Sequence, residues 1–100
     1  MSQVESKIEV NTNLAEPCMY KIIYINDDKT TVEFVMTTLI DFFSYSIDQA
    51  EKITLDIHDE GSAVVAVMPY EIAEQKGVEV TVLARKEGYP LQIKLEPDVA

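Results

Sequence analysis

The apolar positions divide the chain into six patterned segments behind a polar lead-in. From Met19 to Ile25 the run is short, β-branched and aromatic, which predicts a strand with its body at Tyr20 to Ile25. Asn26-Asp27-Asp28 follows, a turn of short polar side chains that bond nearby backbone and tolerate unusual dihedral angles. Beyond it Val32, Val35, Met36, Leu39 and Phe43 recur at helical spacing, and Phe34 and Phe42 widen the apolar face. Thr30, with Glu33 at the capping-box spacing, is expected to open this helix, which should end near Ser44-Tyr45. Ser46, with Gln49 in the same relation, opens a second helix. Its apolar stripe is Ile47, Ala50, Ile53 and Ile57, His58 lies in its last turn, and Gly61 is placed for a left-handed C-cap.

Ala63 to Met68 is a second strand signal between Gly61 and Pro69. The stretch from Tyr70 to about Glu87 carries two patterns. Val78, Val80 and Val82 alternate as in a strand and Gly77 interrupts, whereas length and the flanking helix formers predict a helix that turns Ile72, Ala73, Val80, Leu83 and Ala84 inward. Gly88 would stop it, with Pro90 beyond. Leu91 to Leu95 alternates cleanly and predicts a half-buried closing strand. The order β-α-α-β-α-β implies an α+β fold: a small three-stranded antiparallel sheet with helices packed on one side. Residues 1 to about 16 hold only Val4, Ile8, Val10 and Leu14 as scattered apolar side chains before Pro17. Burial of those few cannot offset a backbone ordering cost of about 1–2 kcal/mol per residue. The expected organisation is a flexible extension over 1–17 and a core domain over 18–100.

One hundred residues suffice for one core and not two. The net charge of −10, with the 8 Lys and Arg scattered, removes the basic footprint that sequence-independent nucleic-acid binding needs, and equally disfavours an anionic membrane surface. Cys18 is the only cysteine, which excludes an internal disulfide and a cysteine-rich zinc site. No apolar run approaches the roughly 20 residues of a membrane span, and the start of the chain does not read as a signal peptide. A soluble, cytoplasmic monomer is expected.

Asn26, Asp27 and Asp28 place one amide and two carboxylates at a strand end, where acceptors can converge on a cation. His58 has a plain reading as a solvated side chain favoured by the helix C-terminus. A lone histidine among carboxylates lacks the repeated His or Cys ligands of strong metal sites, so no metal and no cofactor is expected. Neither Cys18 nor any serine carries an activating motif for nucleophilic catalysis. Acid–base chemistry by Asp27 or Asp28 with His58 stays open as a rival reading, without an evident oxyanion donor set.

The run Tyr20 to Asp28, then Thr30, Glu33-Phe34-Val35 and Phe42-Phe43-Ser44-Tyr45, resembles the ClpS family of adaptors, which deliver N-end-rule substrates to the ClpA ATPase of a bacterial Clp protease. His58 with Gly61, Glu71 to Lys76, Ala84-Arg85 and Pro90-Leu91 extend the resemblance over about residues 19 to 96. The resemblance implies helix for the ambiguous third segment and no enzymatic activity. It implies that Asn26, Asp27, Thr30 and His58, with Asp28 shaping the turn, surround the free α-amino group of a bound peptide. Ile25, Val32, Val35, Thr54, Ile57 and Leu91 would line the cavity for its first side chain, chosen among Leu, Phe, Tyr and Trp. Glu71 and Lys76 would dock the N-terminal domain of a ClpA-type AAA+ unfoldase, and the N-terminal extension would serve substrate handover. The chain departs from the family where Thr31 replaces a usual Pro, and where Val32 and Thr54 replace common Met residues. A docking module acting through its acidic surface, without a peptide pocket, is the competing class.

Overall fold

The structure is a computed structural model that describes residues 18–99, so the extension expected over 1–17 lies outside the described residues. Six elements follow one another: β1 (Met19–Ile25), α1 (Val32–Phe43), α2 (Ile47–Glu60), β2 (Ser62–Pro69), α3 (Tyr70–Lys86) and β3 (Gln92–Pro97). The strands form an antiparallel sheet in the order β2-β1-β3. The first strand is therefore the central one, and its ends are held on both sides. Its Ile22 and Tyr24 are fully buried and meet the helices together with Val65, Leu39, Val80 and Leu91. The opposite sheet face carries Lys94, Glu96 and the exposed Val64 and Val67. The expected architecture of helices on one side is what the chain adopts.

Local signals explain most of the boundaries. The Ser46–Gln49 capping box opens α2, with Ser46 N–H donating to Gln49 Oε1 at 2.9 Å and Gln49 N–H to Ser46 Oγ at 3.1 Å. Gly61 closes α2 at φ 89°, in the left-handed region that costs glycine nothing. The end of α3 is a Schellman motif: Gly88 at φ 85° donates to Arg85 O at 3.0 Å, and Tyr89 N–H to Ala84 O at 2.8 Å. A bulge at Ile22/Ile23 leaves Val65 of β2 without a partner residue across the ladder, and the Tyr45 hydroxyl donates to its carbonyl.

Three expectations need correction. Thr31, not Thr30, is the N-cap of α1: its side chain accepts from Phe34 N–H at 3.1 Å, because Thr30 is already committed to the carboxylate of Asp27. Ile72 is not inward. The stripe of α3 that meets the sheet is Ala73, Gly77, Val80 and Ala84, and Ile72, Val78 and Val82 are exposed. That 4-3-4 spacing settles the segment as helix and turns the alternating valines to different faces. Ile47 belongs to the expected stripe of α2 yet stands 67% exposed at the first residue of the helix, and burial begins only at Ala50.

Candidate functional site

The ladder itself builds the site. Pairing of Ile25 with Ser62 brings the end of β1 against the corner between α2 and β2, and Asn26 N–H donates to Gly61 O at 2.9 Å. The acidic turn is thereby set beside the last turn of α2, which carries His58. The other partner of Ile25 is Gln92, so the loop entering β3, with Leu91, arrives on the opposite side. Positions remote in the chain converge because β1 is central.

Asp27 organises the turn. Its Oδ1 accepts from Lys29 N–H at 2.8 Å and Thr30 N–H at 2.7 Å, and its Oδ2 accepts the Thr30 hydroxyl at 2.8 Å. Burial pushes the carboxyl pKa upward, but these bonds from Thr30 and Lys29, with the charge of Arg85, outweigh it and hold Asp27 below the usual carboxylate range. An ionised carboxylate has about four acceptor positions. Three are used within the turn, so acceptor capacity remains on Oδ2 for one outside donor.

A cleft of 350 Å³ opens over this turn, lined by Asn26, Asp27, Asp28, Thr30, Thr31, Val32, Val35, Thr54, Ile57 and His58. A small cavity of 20 Å³ adjoins it, shares Asn26, Asp27, Thr30, Val35 and Ile57, and adds Ile25 and Leu91. The expected amine-site residues and the expected side-chain-pocket residues thus line a cleft and a small cavity that share five residues, with polar side chains from the turn facing apolar ones from the core. Val35, Ile57 and Leu91 form buried walls, whereas Val32 is 55% exposed at the mouth. Thr54 is buried, and its hydroxyl donates to Ala50 O at 2.7 Å, which satisfies the polar atom within its own helix. His58 is exposed at the rim, its Nδ1 3.5 Å from Asp59 Oδ1.

One residue of the site, and one that acts on it from outside, escaped the sequence reading. Thr31 lines the cleft as well as capping α1, whereas the spacing to Glu33 points to Thr30 as the cap. Arg85 acts on Asp27 from α3, far along the chain, and no local pattern signals that. Glu71 and Lys76 both lie in the first half of α3 and neither lines the cleft. Glu71 is exposed, and the Lys76 ammonium sits 5.9 Å from the Phe43 ring centroid, within cation–π range. A further groove of 250 Å³ between α3 and β3, lined by Glu74, Gly77, Val78, Thr81, Val82, Ile93 and Leu95, is mostly apolar. Among the described residues no group of three or more His, Cys, Asp and Glu side chains is arranged to hold a metal ion, and no helix is long and apolar enough to cross a membrane.

Comparison with known proteins places this geometry in a family. The family model described as ATP-dependent Clp protease adaptor protein ClpS matches residues 15–94. The chain is 38% identical to the ATP-dependent Clp protease adapter protein ClpS of Helicobacter hepaticus over 96 residues, covering 96% of this chain and 97% of that protein. It is 43% identical to the protein of the same name from Clostridium acetobutylicum over 91 residues, covering 91% and 90%. The structure of Agrobacterium tumefaciens ClpS2 bound to L-phenylalaninamide superimposes with a TM-score of 0.80 at 40% identity, over 83% of this chain and 100% of that one. With sequence, fold and extent of coverage all in agreement, the chain belongs to the ClpS family of Clp protease adaptor proteins.

Proposed function

We propose that this protein captures the free α-amino group and the bulky hydrophobic first residue of N-degron peptides and proteins, those beginning with Leu, Phe, Tyr or Trp, and delivers them to a ClpA-type AAA+ unfoldase. The observation that carries the reading is the ionised Asp27 with acceptor capacity left on Oδ2, at the polar end of a hollow whose other end is walled by Val35, Ile57 and Leu91. An α-ammonium has three donors and no acceptor, so its site must present acceptors. Asp27 supplies one with charge, and the Asn26 amide oxygen another. With a proton on Nδ1, a neutral His58 would offer Nε2 as a third. The α-amine and the side chain of one residue leave the same carbon, and that is the juxtaposition the hollow offers. The Agrobacterium relative binds L-phenylalaninamide, whose chemistry is that of a peptide's first residue: free amine, aromatic side chain and an amide in place of the next peptide bond.

Charge-assisted hydrogen bonds contribute about 1.5–3 kcal/mol each. Burial of one large apolar side chain adds about 1.5–3 kcal/mol. Association costs of at least several kcal/mol leave micromolar affinity, roughly −8 kcal/mol, which suits an adaptor that must release its cargo. No bond is made or broken in this scheme, so it requires no catalytic residue. Delivery would use Glu71 and Lys76 on α3, away from the cleft, so a partner and a cargo can be held together. The deciding experiment is fluorescence binding of a Phe-initiated peptide beside its amine-acetylated twin. Micromolar binding of the first with loss of the second is expected, and equal affinity for the two would remove the amine site. Glu71→Ala and Lys76→Ala should weaken capture by the unfoldase's N-terminal domain and leave peptide affinity unchanged.

A further inference from the structure

The segment from Glu87 to Leu91 connects α3 to β3 and brings one wall of the side-chain cavity into place. Leu91 stands one residue before the first paired position of β3, Gln92 opposite Ile25, so the ladder does not reach it. Pro90 just before it has no N–H to donate. Leu91 is nevertheless only 1% exposed. Its position is set from α3: Arg85 Nη1 donates to Tyr89 O at 3.0 Å and to Leu91 O at 2.8 Å, bridging the proline from both sides. The Schellman motif that ends α3 fixes where the loop starts, and the Tyr89 ring packs against Phe34 of α1 at 5.0 Å between centroids. Arg85 is thus the one side chain hydrogen-bonded to the carbonyls on both sides of Pro90 among the described residues.

We infer that Arg85 is a positioning residue for the first-side-chain cavity: its guanidinium holds Leu91 in place against Ile25, Val35 and Ile57 by tying down the loop around Pro90. The inference rests on the peptide-binding reading above and deepens it, since it assigns part of the selectivity to a residue that touches no ligand. With the Arg85 bonds gone, the two carbonyls can turn to water and Leu91 loses its fixed distance from Val35 and Ile57. A large first side chain then meets a yielding wall, whereas a first residue too small to reach Leu91 is held by the amine contacts as before. The signature is a change in the ratio of affinities, not a uniform loss.

The test is competition binding of two peptides alike except for Phe or Ala at the first position, on wild type, Arg85→Met and Arg85→Lys, with thermal melts of each. Arg85→Met should lower the affinity for the Phe peptide about tenfold, the scale of a modest change in an apolar pocket, and leave the Ala peptide within about twofold. Arg85→Lys keeps the charge that acts on Asp27 but replaces the guanidinium, whose Nη1 reaches both carbonyls, with a compact ammonium, and should show a smaller fall in the same ratio; it carries the test if Arg85→Met does not fold. A Phe-to-Ala ratio equal to wild type in a cooperatively melting variant overturns the inference, because Arg85 would then act through charge or overall stability alone. The acetylated Phe peptide on wild type separates the two readings. If it binds more weakly than its free-amine twin, peptide capture stands whatever the Arg85 ratio shows, and if not, both fall.

Discussion

The two ends of the hollow are built in different ways. The polar end is local: Asp27 bonds to Lys29 and Thr30, its near neighbours, and the whole turn is read from five consecutive residues with His58 added by one strand pairing. The apolar end is assembled: Ile25 comes from β1, Val35 from α1, Thr54 and Ile57 from α2, and Leu91 from the loop before β3. The polar side chains stand at the surface or half-buried, whereas Val35, Thr54, Ile57 and Leu91 are also part of the core. A protein built this way can lose the proposed amine site at little cost to the fold, but it cannot lose the proposed side-chain cavity without loosening the domain.

The sharpest way to break the distinction is Ile57→Ala. The side chain is 3% exposed, so its truncation should cost about 2–5 kcal/mol of stability and weaken binding of Phe-initiated peptides as well. Chemical denaturation with peptide titration checks both, and a variant as stable as wild type would show that the cavity is separable from the core.

Asp27→Asn should act on the other end alone. The amide oxygen can keep the bonds from the Lys29 and Thr30 N–H groups while the charge is lost. Loss of one charge-assisted bond of about 1.5–3 kcal/mol predicts a fall in peptide affinity of roughly 10- to 150-fold, with a nearly unchanged melting temperature. The pH dependence follows from the same carboxyl. Its folded pKa is lowered, so its contribution is whole above the unfolded value of about 3.9 and is lost as pH falls through the lower folded value. The affinity difference between wild type and Asp27→Asn, which isolates this carboxyl, should hold down to about pH 4 and close below it.

The smallest effect expected is at the mouth, where the two ends meet. Val32 is exposed there, and Val32→Met extends the side chain over the entrance without touching the core. A change of this size is worth about 1–3 kcal/mol, so discrimination of Leu from Ile at the first position should sharpen by tens-fold at most. Four peptides beginning with Leu, Phe, Ile and Val, compared on both proteins, measure it. If wild type already rejects Ile as strongly as the variant does, Val32 is not the gate.

Most of the architecture was legible in the apolar pattern, because each element repeats its signal over several residues. The Ser46–Gln49 box, Gly61 and Gly88 mark ends by chemistry that operates within one turn of helix. Ser44 shows where that legibility weakens: it closes α1 at φ 59°, a conformation usually given to glycine, and nothing in its identity announces it. The spacing to Glu33 points to Thr30 as the cap, and nothing local registers that the Asp27 carboxylate takes that hydroxyl and leaves the cap to Thr31.

By itself the sequence determined the acidic turn, the number and order of the elements, and a resemblance that implies the residues of the proposed amine site one by one. It could do so because turn chemistry and hydrophobic period act between residues a few positions apart. Only the tertiary structure decided that Ile25 stands between Ser62 and Gln92, and hence that His58 and Leu91 flank the same turn. Only it decided that Arg85 holds the carbonyls around Pro90 and lends its charge to Asp27. Those contacts join residues tens of positions apart, and strand pairing and core packing, which bring them together, leave no periodic trace at the individual residues they join.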